Sequence, residues 1–257
     1  MTARVTAFER ALDQLGRAIV AGELPAGHAD TVDGLVARTG ASRSVVREVT
    51  RVLTSLGMLS AGRRVGLRVL APEHWDALDA QVVRWRLAGP ETAAQLTELR
   101  SLRLAIEPAA AADAARAVGE RPAAALAGPD VLRALEQAAA GMQAAASAPD
   151  PAEFLAADRA LHTAVLALSG NTMFIRLGTV IAEGLRDRAL RERAGLPPEA
   201  HDLALHLEVA RAVAAGDPNA AESAMREIIE RTGVDDGDDS CGESLKTGVS
   251  NLRQILR

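Results

Sequence analysis

Tyrosine is absent, and three phenylalanines and two tryptophans are the only aromatic residues among 257. A core without aromatics has to be built from Ala, Leu, Val and Ile, and an Ala- and Leu-rich chain favours helices over strands. The expected fold class is therefore mostly α. A single cysteine, Cys241, excludes an internal disulfide. With no opening charged-then-apolar segment of the signal-peptide kind, a reducing, cytoplasmic location is expected. No apolar run approaches the roughly 18 residues that cross a bilayer, so no membrane partner is expected. No fixed-period repeat is present either.

What the chain does contain is unevenly distributed charge. Its net charge is −5, yet residues 1–70 carry ten Arg against six Asp and Glu, leaving +4 there and −9 on the rest. A basic end and an acidic body are expected to do different things. The length suits a small domain followed by a larger one.

The basic end has a readable order. In VTAFERALDQLGRAIVA (5–21), Val5, Phe8, Leu12, Leu15 and Ile19 recur at three- and four-residue steps, predicting an amphipathic helix that GELPAG stops. Thr31 is placed to cap a second short helix running through Val32, Leu35 and Val36 to Thr39. Gly40 breaks it, and Ser42 is placed to cap a third helix over 43–56. Helix, glycine turn, helix is the helix-turn-helix pattern. MLSAGRRVGLRVL then reads as a hairpin whose tip holds Arg63 and Arg64, and Pro72 closes the unit.

On the third helix, Arg43, Arg47 and Arg51 lie within about 80° of one another, with Val46, Val49, Leu53 and Leu56 centred roughly 140° away. A helix with an apolar back and an arginine front suits a DNA major groove, where arginine reaches the guanine O6/N7 edge or a phosphate. Ser42 and Ser44 at its start are placed for phosphates. Taken alone, an arginine-rich face is more often simply solvated; the turn, the hairpin and the charge asymmetry favour DNA.

The runs IVAGELPAG, LVARTGASRSVVREVTRVLTSLGMLS and GRRVGLRV resemble the winged helix-turn-helix of the gluconate-repressor (GntR) family of bacterial transcription factors. The resemblance implies that Arg43 and Arg47 are the main DNA contacts, assisted by Ser44 and the wing arginines. The sequence departs from the family at Asp33, where many relatives carry Arg or Lys.

In the acidic body, FLAADRALHTAVLALSGN places Asp158 and His162 four residues apart on one helix, and His206 begins a later apolar-faced segment. A carboxylate and imidazoles converging from facing helices bind a divalent metal; a simple i,i+4 contact between Asp158 and His162 is the alternative. EPAAAADAA, FLAADRALHTAVLALSGN and HLEVARAVAAGDPNAAESAM resemble the FCD ligand domain of the fatty-acid-regulator branch of the same family. By that resemblance an Asp, a His four residues on and two later His hold a metal that helps bind a carboxylate effector. Asp158, His162 and His206 occupy the first three positions, and the fourth falls at Ile228, which is no ligand. One divalent metal, zinc or similar, is thus an open expectation. His201 is a remote substitute, being about 140° from His206 on a helix. The resemblance makes Arg103 the pocket arginine, with an i,i+4 ion pair to Glu107 as the alternative. Asn171 either lines the effector pocket or, preferably, caps the following helix.

LDAQVVRWRLAGP (78–90) resembles the linker helix of sugar-acid repressors, those of galactonate operons among them. The expected organisation is a DNA-binding domain over 1–71, a linker helix over 72–90 with Trp85 packing between domains, an all-helical effector domain over 91–233 in six or seven helices counted from residue 73, and a disordered tail over 234–257. The expected function is not enzymatic: a homodimeric regulator binding double-stranded operator DNA, a repressor released by a small carboxylate such as an aldonate. The rivals are a metal-dependent enzyme using Asp158, His162 and His206, and a helical interaction protein without DNA binding.

Overall fold

A computed structural model describes residues 5–62, 66–120, 129–147, 151–192 and 200–231. The chain divides into two compact units, Met1–Gln95 and Leu96–Arg257.

The first unit opens with α1 (Ala7–Val20), whose N-terminus is closed by a capping box: Thr6 Oγ1 accepts from Glu9 N–H, and the Glu9 carboxylate accepts from Thr6 N–H at 2.7 Å. Leu15 and Ile19 are buried as the periodicity predicts, but Val5 is 55% exposed because it precedes the helix. α2 (Val32–Thr39) is capped by Thr31, which accepts from Gly34 N–H at 3.0 Å, and ends at Gly40. α3 (Arg43–Ser55) is capped by Ser42.

The hairpin strands β2 (Leu59–Gly62) and β3 (Gly66–Val69) are joined by a strand the sequence pattern did not signal, β1 (Ala29–Asp30). The sheet is antiparallel in the order β1-β3-β2. Two residues carry no alternation, so β1 is visible only through its pairing with Leu67 and Arg68. The wing tip with Arg63 and Arg64, and the tail over 234–257, lie outside the described residues.

A 3-10 turn (Pro72–His74) leads to α4 (Ala80–Leu87), capped by Asp79. α4 packs on α1. Trp85 covers Gly16 so closely that a Cβ there would overlap the indole ring, and its Nε1–H donates to Asp13 Oδ1 at 2.9 Å. This tryptophan, read from the sequence as packing between domains, is thus held inside the first unit. Gly57, at φ +71°, forms the turn out of α3, and a Cβ on it would collide with the His74 carbonyl oxygen. Gly57→Ala combines left-handed strain with overlap against backbone, and is expected to destabilise the protein by about 1–3 kcal/mol in chemical denaturation; a loss below ~0.5 kcal/mol would show that the turn shifts freely.

The second unit is all-helical among its described residues. α5 (Thr92–Glu120) begins just before the division at Gln95, and is followed by α6 (Pro129–Ser147), α7 (Pro151–Leu168), α8 (Thr172–Glu192), α9 (Ala200–Ala215) and α10 (Pro218–Arg231). With α4 these make seven helices among the described residues after residue 73, where six or seven were expected. Alanines at 110, 111, 114 and 115 of α5 are buried alongside Leu135, Met142, Leu161, Val209, Met225 and Ile228. Small side chains let the helices pack closely, so six of them enclose a core containing one aromatic residue, Phe154, among its fully buried members. No described helix is long and apolar enough to cross a membrane.

Candidate functional sites

On α3, Val46, Val49 and Leu53 are completely buried while Ser42, Arg43, Ser44, Arg47 and Arg51 are exposed. The apolar back anchors the helix and leaves the arginine stripe facing solvent. The three arginines differ in their surroundings. Arg43 Nη1 is ion-paired with Asp33 Oδ1 at 2.7 Å, whereas Arg47 and Arg51 form no ion pair among the described residues. Ser42 and Ser44 hydroxyls lie 3.0 Å apart.

In the second unit two helices bring their polar residues to one buried place. α7 supplies Asp158 and His162, α9 supplies His206, and one ligand-type atom from each lies within 4.8 Å of the others. His206 Nε2 is 2.9 Å and His162 Nε2 3.6 Å from Asp158 Oδ1. Both imidazoles are 1% exposed, and the rings meet edge to face.

The protons on these rings follow from their partners. His206 Nδ1 is 2.6 Å from the Asp202 backbone carbonyl, which only accepts, so Nδ1 carries the hydrogen. His162 Nδ1 donates to the Glu107 carboxylate. Each Nε2 is thereby turned toward Asp158 and ion-paired with it, but neither contact has hydrogen-bond geometry. Buried polar atoms are rarely left so, and two imidazole Nε2 atoms facing a carboxylate oxygen, their Nδ1–H groups held from behind, are a donor set for a divalent cation. The residues fit a three-ligand site. Ile228, at the expected fourth position, is fully buried in the core, and His201 is exposed and paired with Glu227 at 2.9 Å, away from the cluster.

Arg103, 4% exposed, donates through Nε to Glu107 Oε1 at 2.5 Å, so the i,i+4 ion pair is formed; its Nη2 is buried without a partner among the described residues. Burial opposes ionisation of Glu107, but Arg103 and His162 outweigh it and hold the carboxyl at about 2. Burial likewise disfavours the His162 imidazolium, yet Glu107 and Asp158 raise it to about 9. Asp158 is held well below the usual carboxylate range by the two imidazoles against the cost of its burial. Arg103, Glu107, His162, Asp158 and His206 thus form one chain of alternating charge or polarity.

Asn171 accepts from Met173 N–H at 3.0 Å and caps α8. Two contributors escaped the sequence reading. The spacing marks Glu107 only as a partner for Arg103, and nothing local announces its contact with His162, 55 residues away. Asp202, four residues before His206, was open to an i,i+4 reading.

Comparison with known proteins gives these sites a context. Residues 98–231 match the FCD domain. The galactonate operon transcriptional repressor of Escherichia coli (strain K12) is 28% identical over 228 residues, 86% of this chain and 93% of the repressor. The HTH-type transcriptional regulator YieP of the same organism is 31% identical over 71 residues, 28% of this chain and 31% of its own length. Among solved structures, Lar, which controls the Listeria monocytogenes agr system, aligns with a TM-score of 0.55 at 15% identity, covering 90% of this chain and 96% of Lar, a likeness of fold. An exposed arginine helix in a winged unit, followed by an FCD domain carrying an Asp-His-His cluster, places the chain in the FCD branch of the GntR family of transcriptional regulators.

Proposed function

We propose that the protein is an effector-responsive repressor that binds operator DNA through α3 and leaves it when a sugar acid of the aldonate class occupies the second unit. The observation that carries the DNA reading is the division of α3 into a fully buried apolar back and an exposed arginine front with Arg47 and Arg51 unpaired among the described residues. Ser42, Arg43, Ser44, Arg47 and Arg51 are the proposed contacts, with Arg63 and Arg64 at the wing tip. One recognition helix meets few base pairs, so a homodimer on a two-fold operator is part of the proposal.

The effector reading rests on the buried Arg103 Nη2, which has no hydrogen-bond partner among the described residues, and on two buried imidazole nitrogens, His162 Nε2 and His206 Nε2, that face the Asp158 carboxylate. Arg103 Nη2 suits a carboxylate, and the imidazoles suit hydroxyl oxygens or a metal. Asp158, His162 and His206 would hold a divalent ion such as zinc, which when bound supplies positive charge and open positions for effector oxygens. Glu107 and the Asp202 carbonyl orient the two imidazoles whether or not the ion is bound. The galactonate repressor's name supports the sugar-acid class and the repressor role. The effector must bind differently to the DNA-competent and DNA-released states, or it shifts nothing. Residues 72–90 are the proposed route of that coupling.

Binding to the gene's own upstream DNA, followed by gel shift at two salt concentrations with a panel of aldonates, fatty acyl compounds and dicarboxylates, tests the proposal. Salt-sensitive, sequence-specific binding released by an aldonate is expected. Arg47→Ala is expected to weaken it about tenfold or more, as for loss of a base-contacting arginine. Release by a different class alone would sink the aldonate assignment. Absence of any specific complex there and in a random-sequence selection would sink the DNA reading.

A further inference from the structure

The arginine stripe of α3 faces a ligand with one negative charge per phosphate, and any carboxylate set among those arginines works against association. Asp33 is such a carboxylate. It stands in the first turn of α2, is 66% exposed in its side chain, and its Oδ1 is ion-paired with Arg43 Nη1 at 2.7 Å. Arg43, the first residue of α3, is 62% exposed. Exposed ion pairs contribute little to folding. An acid in the first turn does favour α2 electrostatically, but that would be served by a side chain pointing anywhere near the helix end.

What the contact does accomplish is geometric. A free arginine samples many rotamers and loses that freedom when it docks in a fork on a guanine edge. Arg43 is held in advance by one Nη1 ion-pair contact to a carboxylate of the neighbouring helix, and a guanidinium has five N–H donors, so enough remain for O6 and N7. Arg47 and Arg51, one and two turns further along, have no such tether among the described residues. The three arginines are therefore not equivalent: one is pre-set, two are adaptable.

We propose that Asp33 is a positioning residue that orients the Arg43 guanidinium toward a guanine edge, so that discrimination at one base pair of each half-site belongs to the Asp33–Arg43 pair. Asp33 touches no base in this arrangement. It trades general attraction to DNA for sequence preference. The inference rests on the proposed DNA contact by α3.

The test uses the full-length protein and the duplex it selects from a random-sequence pool, with affinities read by fluorescence anisotropy on that duplex, on each single-base-pair variant and on unrelated DNA. Wild type, Asp33→Ala, Asp33→Asn, Arg43→Ala and the Asp33→Ala/Arg43→Ala double variant are compared. Asp33→Ala is expected to bind unrelated DNA somewhat more tightly and to lose about five- to tenfold of its preference at one G·C pair. Asp33→Asn, which keeps an acceptor, retains more of that preference. Arg43→Ala loses preference at the same pair, and adding Asp33→Ala to it changes that preference no further, the signature of coupled residues. A uniform change of affinity on every sequence would overturn the inference and leave Asp33 as a source of repulsion only. So would a lost preference at a pair that Arg43→Ala leaves intact. If wild type selects no sequence, both the DNA reading and this inference fall; if it does and Asp33→Ala discriminates as wild type does, only the inference falls.

Discussion

Arg103→Met is expected to cost about 3–5 kcal/mol of folding stability, the usual result of removing one partner from a buried ion pair. Glu107 is 1% exposed and receives hydrogen bonds from Arg103 Nε and His162 Nδ1. Without the guanidinium, a carboxylate held at about 2 keeps only the imidazole as a counter-charge, and burial, which already opposes its ionisation, pushes its pKa up. Methionine fills comparable space, so the loss reads charge rather than a cavity. Denaturant unfolding of wild type, Arg103→Met, Glu107→Met and the double variant separates the terms. The double variant should be less destabilised than the sum of the singles, because removing both partners strands no charge. A single-variant loss below ~1 kcal/mol would mean that water reaches Glu107.

Divalent metal uptake is expected to expel a proton and to strengthen with rising pH. His162, raised to about 9, is an imidazolium at neutral pH in the metal-free protein, and ligation through Nε2 requires the neutral ring. Below about 9, each unit of pH should therefore raise zinc affinity by up to about tenfold from this group. Calorimetric titrations in buffers of different ionisation enthalpy should count close to one proton released from His162 at pH 7. His162→Ala should remove that proton together with most of the affinity. Binding without proton release would show that His162 is already neutral in the metal-free protein, and unchanged affinity in His162→Ala would exclude it as a ligand.

The same groups shape stability in the absence of metal. His162 is raised above its ordinary 6.5, so its contribution is complete below 6.5 and is lost as pH rises through about 9. Glu107 is lowered from 4.5, so its contribution is present above 4.5 and is lost as pH falls through about 2. Saturating zinc should flatten the alkaline loss, since the bound His162 has already given up its proton.

Much of the first unit is legible along the chain because its signals are local. Thr31 and Ser42 cap the helices they precede, and the alternation of Arg43, Arg47 and Arg51 with Val46, Val49 and Leu53 follows from 3.6 residues per turn. The same periodicity puts Asp158 and His162 on one side of α7 and makes the Arg103–Glu107 pair foreseeable. Strand β1 had no such signal: two residues become a strand only when β3 lies beside them. Val5 continues the apolar stripe in sequence yet sits outside the helix that would have buried it.

The order of helices, their caps, the arginine face and three candidate ligands were thus written in the residues, since each depends on neighbours within about four positions. Packing alone decided that Glu107 stands behind His162, that Trp85 covers Gly16, and that Asp33 holds Arg43. Those contacts join positions 10 to 69 residues apart. Which of many polar side chains becomes buried beside which partner depends on how whole helices stack, and it is the opposite charges brought together there, against the cost of burial, that keep Glu107 and His162 as a charged, proton-coupled pair.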